Sequence, residues 1–147
     1  MTIKEKLLSD MKEALKSKES VKLNTIRSVI AAIKYQEIEL KRDLEAEEIL
    51  SLVAREGKKR KEAAALFEKG QRMDLMEKEK QEYEILLAYL PEQVSEEELS
   101  KRIQEVIAET GVLAMKDFGK IMKVLAPEFK GKADNSLIKS LARNYLK

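Results

Sequence analysis

Two prolines, Pro91 and Pro127, interrupt a chain of 147 residues that otherwise reads as helix. Pro91 is the stronger constraint. Its ring removes a backbone donor, clashes with the carbonyl four residues back and biases Leu90 away from helical backbone. Just beyond it, Ser95-Glu96-Glu97-Glu98 has the form of a capping box whose acids complement the positive end of a helix dipole. A stop followed at once by a start predicts a boundary within 91–95, with one helical unit in 1–90 and another in 95–147.

Lys, Glu, Leu and Ala dominate while Gly and Pro are scarce, which favours an all-α protein. Thr2-Ile3-Lys4-Glu5 opens a first helix with Ile3, Leu7, Met11 and Leu15 as its apolar stripe. Residues 17–20 read as a short connection. Leu23, Ile26, Ile30, Ile33 and Leu40 mark a second helix, with Arg27 and Glu37 beside the stripe. A third runs from about Glu47 through Val53 to Phe67, with Gly70 as its C-terminal cap. Arg72-Met73-Asp74 opens a fourth, carrying Leu75, Leu86 and Leu90 with Glu79 and Glu82 near the same face.

Beyond Pro91, Leu99, Ile103, Val106 and Ile107 give a helix that Gly111 ends. Phe118, Ile121, Met122 and Leu125 give the next, ended by Pro127. Asp134 caps a last helix with Leu137, Ile138, Leu141 and Tyr145 on its inner face. The expected architecture is a four-helix region in 1–90 followed by a small three-helix tail in 95–147.

The chain has no Cys and no His. Disulfides, thiolate or imidazole metal sites and the usual general base near neutral pH are therefore excluded. No catalytic constellation, metal or cofactor is expected. No apolar run approaches a membrane span, so no membrane partner is expected, and the N-terminus leads straight into an amphipathic pattern. A cytoplasmic location is the expectation.

Charge is small overall but uneven. Residues 91–109 hold six acids and two bases, whereas 110–147 hold eight bases and three acids, a local excess of +5. Lys116, Lys120 and Lys123 are spaced to line one helix face. Lys130, Gly131 and Lys132 fall in a turn, and Lys139 and Arg143 repeat the i,i+4 spacing. These eight residues are the candidate nucleic-acid-binding set: side chains of this kind meet a phosphate backbone but cannot read bases. Neither Gly-Lys pair completes a nucleotide-phosphate loop. Ala126 and Ala133 stand where GxxxxGK[ST] needs Gly and Ser or Thr, and Ala114 and Ile121 do so for the pair at Gly119. Arg55, Lys58, Lys59, Arg60 and Lys61 form a second basic run, which reads as a solvated face or a further backbone contact. Arg60 lies near the apolar stripe and is placed to pair with Glu79 or Glu82, carboxylates that need a partner there.

Several stretches together resemble the GatB/YqeY family. They are Asp10-Met11-Lys12, Ile26-Arg27 and Ala31-Ala32-Ile33-Lys34, then Arg60-Lys61, Arg72-Met73-Asp74-Leu75, Glu79, Glu82 and Leu86. Tyr89-Leu90-Pro91-Glu92-Gln93, the capping box at Ser95, Gly119-Lys120 and the Gly131-Lys132-Ala133-Asp134 turn complete the set. The likeness covers nearly the whole chain and includes the tail module of the tRNA-dependent amidotransferase B subunit. It implies a helical bundle followed by a small tail domain that contacts tRNA. It links the chain to glutamine-dependent carbon–nitrogen ligases, with a tRNA-handling enzyme or amidotransferase subunits as partners. Amide synthesis does not carry over, because the chain lacks a kinase-like body and an amidase subunit. Leu113-Ala114 also departs from the family, which often has helix-capping serines there. Three functions follow as expectations: a non-catalytic tRNA-binding or adaptor protein, an accessory component of amidotransferase-like activity, or a protein-interaction module.

Overall fold

The computed structural model describes residues 1–147, and every regular element in it is helical. The chain divides into two compact units, Met1–Leu90 and Pro91–Lys147.

The first unit begins with α1 (Ile3–Lys16). The hydroxyl of Thr2 accepts from the Glu5 N–H at 3.1 Å while the Glu5 carboxylate accepts from the Thr2 N–H at 3.3 Å, closing the expected capping box. α2 (Ser20–Leu40) ends on Lys41 in left-handed backbone, φ 56°. The Glu37 carboxylate then accepts from the Leu44 N–H at 2.9 Å and from the Lys4 ammonium at 3.0 Å, tying α1, α2 and the next loop together. α3 (Ala46–Lys69) starts at a capping box between Glu45 and Glu48, and α4 (Met73–Leu87) folds back along it. Leu7, Ile26, Val29, Ile33, Leu52, Val53 and Leu86 form the centre of the core.

Spacing explains where burial departs from expectation. Steps of four residues drift by about 40° each around a helix. By Leu15 the stripe of α1 has rotated outward, so Leu15 is exposed and Ala14 takes the buried position. In α2, Val29 is fully buried and Ile30 only half-buried, while Leu40 faces solvent at the helix end. Gly70 caps α3 as expected, but without left-handed backbone: its φ is −81° and Gln71 makes the left-handed turn, φ 58°. The Arg72 N–H donates to the Phe67 carbonyl at 2.8 Å and the Gln71 N–H to that of Glu68 at 3.1 Å, a closed turn that leads directly into α4.

In the second unit, α5 (Glu96–Thr110) starts where the Ser95 hydroxyl accepts from the Glu98 N–H at 3.2 Å and stops at Gly111, φ 71°. A single 3-10 turn, Met115–Asp117, runs into α6 (Phe118–Glu128). α7 (Asn135–Arg143) is capped by Asp134, whose carboxylate accepts from the Ser136 N–H at 3.2 Å. α5 packs against both α6 and α7. Leu99, Ile103, Val106, Ile121, Leu125 and Ile138 fill the core between them. Lys147 donates its N–H to the Leu113 carbonyl at 2.9 Å and accepts from the Met115 N–H at 2.8 Å, seating Leu146 in that core.

Two expectations fail here. Pro127 does not end α6 but sits inside its last turn. The proline forgoes one helical bond to the Lys123 carbonyl, on the exposed side of the helix and in its last turn. Tyr145 lies beyond α7 and is exposed; Ala142 and Leu146 occupy the inner face.

Candidate nucleic-acid interface

The eight candidate residues fall into three short groups on separate segments. Lys120 and Lys123 are on α6, and Lys116 is on the 3-10 turn before it rather than in the helix. Lys130, Gly131 and Lys132 occupy the α6–α7 turn, while Lys139 and Arg143 are on α7. All seven charged side chains are exposed, and Gly131 is half-buried. Ile121 and Leu125 hold the opposite side of α6 in the core, so packing turns its lysines outward. Asp117 comes within 3.9 Å of the Lys120 ammonium, a contact between exposed groups that holds little energy.

The turn is fixed from within. Gly131 has φ 77°, and its carbonyl accepts from the Gln93 side-chain amide at 2.7 Å. The Lys132 carbonyl accepts from the Val94 N–H at 3.1 Å. The N–H groups of Lys132 and Ala133 both donate to the Phe129 carbonyl, at 2.9 and 3.1 Å. With those donors engaged, the turn exposes its lysine side chains rather than a cradle formed by these N–H groups.

Arg102 on α5 is an ion-pairing side chain that sequence reasoning passes over. It reaches Glu128 with Nε at 2.8 Å and Nη2 at 3.0 Å, and Nη1 lies 3.3 Å from Glu105 and 3.5 Å from Glu109. The Glu128 hydrogen bonds hold its pKa above the ordinary guanidinium value. Arg102 thereby draws Glu128, an acid of the tail segment, toward α5. The Glu105 spacing is visible in the sequence; the pairing across α5 and α6 is not.

In the first unit, Arg55, Lys58, Lys59 and Lys61 are exposed, while Arg60 turns inward. Arg60 Nε is 3.0 Å from Glu82 and 4.0 Å from Glu79, and its Nη1 is 3.5 Å from Glu56. The Nε–Glu82 approach is close but poorly aligned, so Nε makes no hydrogen bond, and Glu79 Oε2 is likewise without one. Burial first, and Glu82 second, raise the Glu79 carboxyl above its usual pKa. Arg72 pairs with Asp74, at 3.5 Å. The Tyr89 hydroxyl donates to Asp10, and Lys6 lies over the Tyr89 ring at 5.3 Å from its centroid. Burial and then this hydrogen bond push the Tyr89 hydroxyl up. Residues that carry the family likeness thus act as internal ties: Asp10 with Tyr89, Arg60 with Glu82, Gln93 with Gly131. No group of three His, Cys, Asp or Glu side chains is arranged to hold a metal ion.

These features define a small all-helical protein with an exposed basic surface on its C-terminal unit. Residues 4–146 match the family described as Yqey-like protein, and the chain belongs to that family. It is similar to the protein named "Altered inheritance of mitochondria protein 41, mitochondrial" in three yeasts. Identity is 35% with that of Kluyveromyces lactis, over 84% of this chain and 72% of the relative. It is 30% with that of Vanderwaltozyma polyspora, over 91% and 76%, and 30% with that of Lachancea thermotolerans, over 95% and 79%.

The names of these relatives overturn the expected cytoplasmic location. The signals behind that expectation do not discriminate between compartments. Lack of cysteine suits any reducing compartment, and an amphipathic first helix is not an address. No helix is long and apolar enough to cross a membrane.

Proposed function

We propose that this protein is a non-catalytic binding protein whose C-terminal unit, residues 95–147, serves as a tail-like domain that grips the backbone of tRNA. The observation that carries the reading is the exposure of all seven basic side chains, Lys116, Lys120, Lys123, Lys130, Lys132, Lys139 and Arg143, outside a fully formed core. Their ammonium and guanidinium groups are held clear of the core by the helices beneath them. Spread over three segments, they suit a folded, A-form backbone better than an extended strand, and they supply affinity without reading sequence. The sequence motifs of this unit that resemble the amidotransferase tail favour tRNA over other structured RNA. The yeast relatives' name concerns mitochondrial inheritance and bears on compartment, not on ligand.

Filter binding of total tRNA to the full chain across a salt series tests this. Lys120→Ala with Lys130→Ala and Lys132→Ala should weaken binding. It should also flatten the log–log salt slope by about 0.7–0.9 for each phosphate that the variant no longer neutralises. The melting temperature should hold. Glutaminase and amidotransferase assays on the purified chain should stay at background. Full affinity of the triple variant at every salt concentration, or no tRNA binding by the parent chain at low salt, would refute the reading.

A further inference from the structure

α2 carries a surface that RNA binding by the second unit does not use. Ala31, Tyr35 and Ile38 follow one another at i, i+4 and i+7, which puts them in one row along the helix. The row faces solvent: Tyr35 is 64% and Ile38 76% exposed, and Ala31 is exposed beside them. Arg27 and Lys34, also exposed, lie on the same side of the helix, four residues before and three after Ala31.

α1 packs beside α2. Lys4 reaches Glu37 of α2 at 3.0 Å, so the row of α1 that starts at Lys4 borders α2. Leu8 and Leu15 lie on that row, 37% and 56% exposed. One acid at the far edge of the row stands against the two bases. Glu37 is held by Lys4 and the Leu44 N–H, while exposed Glu39 follows Tyr35 by four residues and edges the row on the side away from Arg27 and Lys34.

We propose that this face docks an amphipathic helix of a partner protein, apolar along one side and acidic along its flank. Single exposed apolar side chains are ordinary, but here Ala31, Tyr35 and Ile38 form a row on α2, with exposed Leu8 and Leu15 on the neighbouring α1. Anchors at i, i+4 and i+7 match the spacing with which one helix covers another. Arg27 and Lys34 set the sign of the partner, because an acidic flank meets them and a basic one is repelled. RNA fits less well, since two bases among five apolar side chains offer few phosphate contacts. A second copy using the same face across a two-fold axis would bring these bases together. The proposal stands on the first unit alone and does not depend on RNA binding by the second.

Fluorescence anisotropy with the full chain and two helix-stapled peptides about four turns long tests it. Both peptides carry Leu at i, i+4 and i+7; one has Glu on its flanks and the other Lys. The acidic peptide should bind saturably, and the basic one about tenfold more weakly or worse. Ile38→Asp should weaken the acidic peptide by about tenfold. Arg27→Glu with Lys34→Glu should reverse the preference between the peptides. The charge reversal changes no apolar contact, so it decides the matter even where Ile38→Asp lowers the melting temperature. Absent or unsaturable binding of the acidic peptide, equal binding of both peptides, or binding indifferent to the charge reversal overturns the proposal. Loss of tRNA binding in Ile38→Asp without peptide binding assigns the face to RNA. A dimer that Ile38→Asp abolishes assigns it to self-association. Either result also overturns the proposal.

Discussion

One guanidinium serves three carboxylates in the first unit. Arg60 lies within 4.0 Å of Glu56, Glu79 and Glu82, in a half-buried setting. The acids outnumber the base, so one of them carries a penalty when ionised. Glu79 is that acid: burial and the Glu82 charge raise its carboxyl above the usual 4.5, and Arg60 offsets them only in part. A carboxyl whose folded pKa is raised binds its proton more tightly in the fold. Its contribution to stability is complete below the unfolded value and is lost as pH rises through the folded one. Glu79→Gln should therefore raise the melting temperature at pH 7 more than at pH 4, whereas Glu82→Gln should lower it by removing the nearest partner of Arg60. A fall for Glu79→Gln at pH 7 would show that Arg60 needs both acids. Glu37 runs the other way. The Leu44 N–H first, and Lys4 second, lower its pKa, so its contribution is present above the unfolded value and fades as pH falls through the folded one.

At the scale of elements, helices were legible because their apolar period and caps are local. Thr2, Ser95, Gly111 and Asp134 each act at the helix end where their chemistry places them. What escaped the sequence was set by drift around the helix and by contacts distant in the chain. Leu15 and Tyr145 rotate or fall out of their stripes, Pro127 is tolerated because its helix stops one residue later, and Arg102 finds Glu128 across two helices. The candidate site was legible as a set of charges; its division among three segments, and the engagement of the turn's N–H groups, required the fold. Gly119 offers a test at this scale. It lies in α6, and a Cβ there would meet nothing within 4 Å. Gly119→Ala should therefore stabilise the protein by about 0.5–1 kcal/mol, through helix propensity alone, and raise the melting temperature. If only the lysine side chains meet tRNA, affinity should be unchanged. A stabilised variant that binds tRNA poorly would show that the ligand approaches the backbone itself.

At the scale of the whole molecule, each unit has a core drawn only from its own residues. Leu7, Ile33, Leu52 and Leu86 belong to one cluster, and Leu99, Ile103, Ile121 and Ile138 to the other. The second unit spans only Pro91–Lys147, a size at which stability is marginal and each buried side chain is a large fraction of the total. Ile103 is fully buried, so Ile103→Ala forfeits burial and leaves a cavity, at a cost of about 2–5 kcal/mol. Local opening then determines where that cost appears. Hydrogen exchange on the full chain should show faster exchange of α5, α6 and α7 amides in Ile103→Ala, with α1 to α4 protected as in the parent. tRNA affinity should fall with the population of the folded second unit. The stapled acidic peptide should still bind, because its proposed face belongs to α1 and α2. Faster exchange throughout the chain would show that the two cores unfold as one. Unchanged tRNA affinity in a chain whose second unit is open would place RNA recognition outside the basic tail.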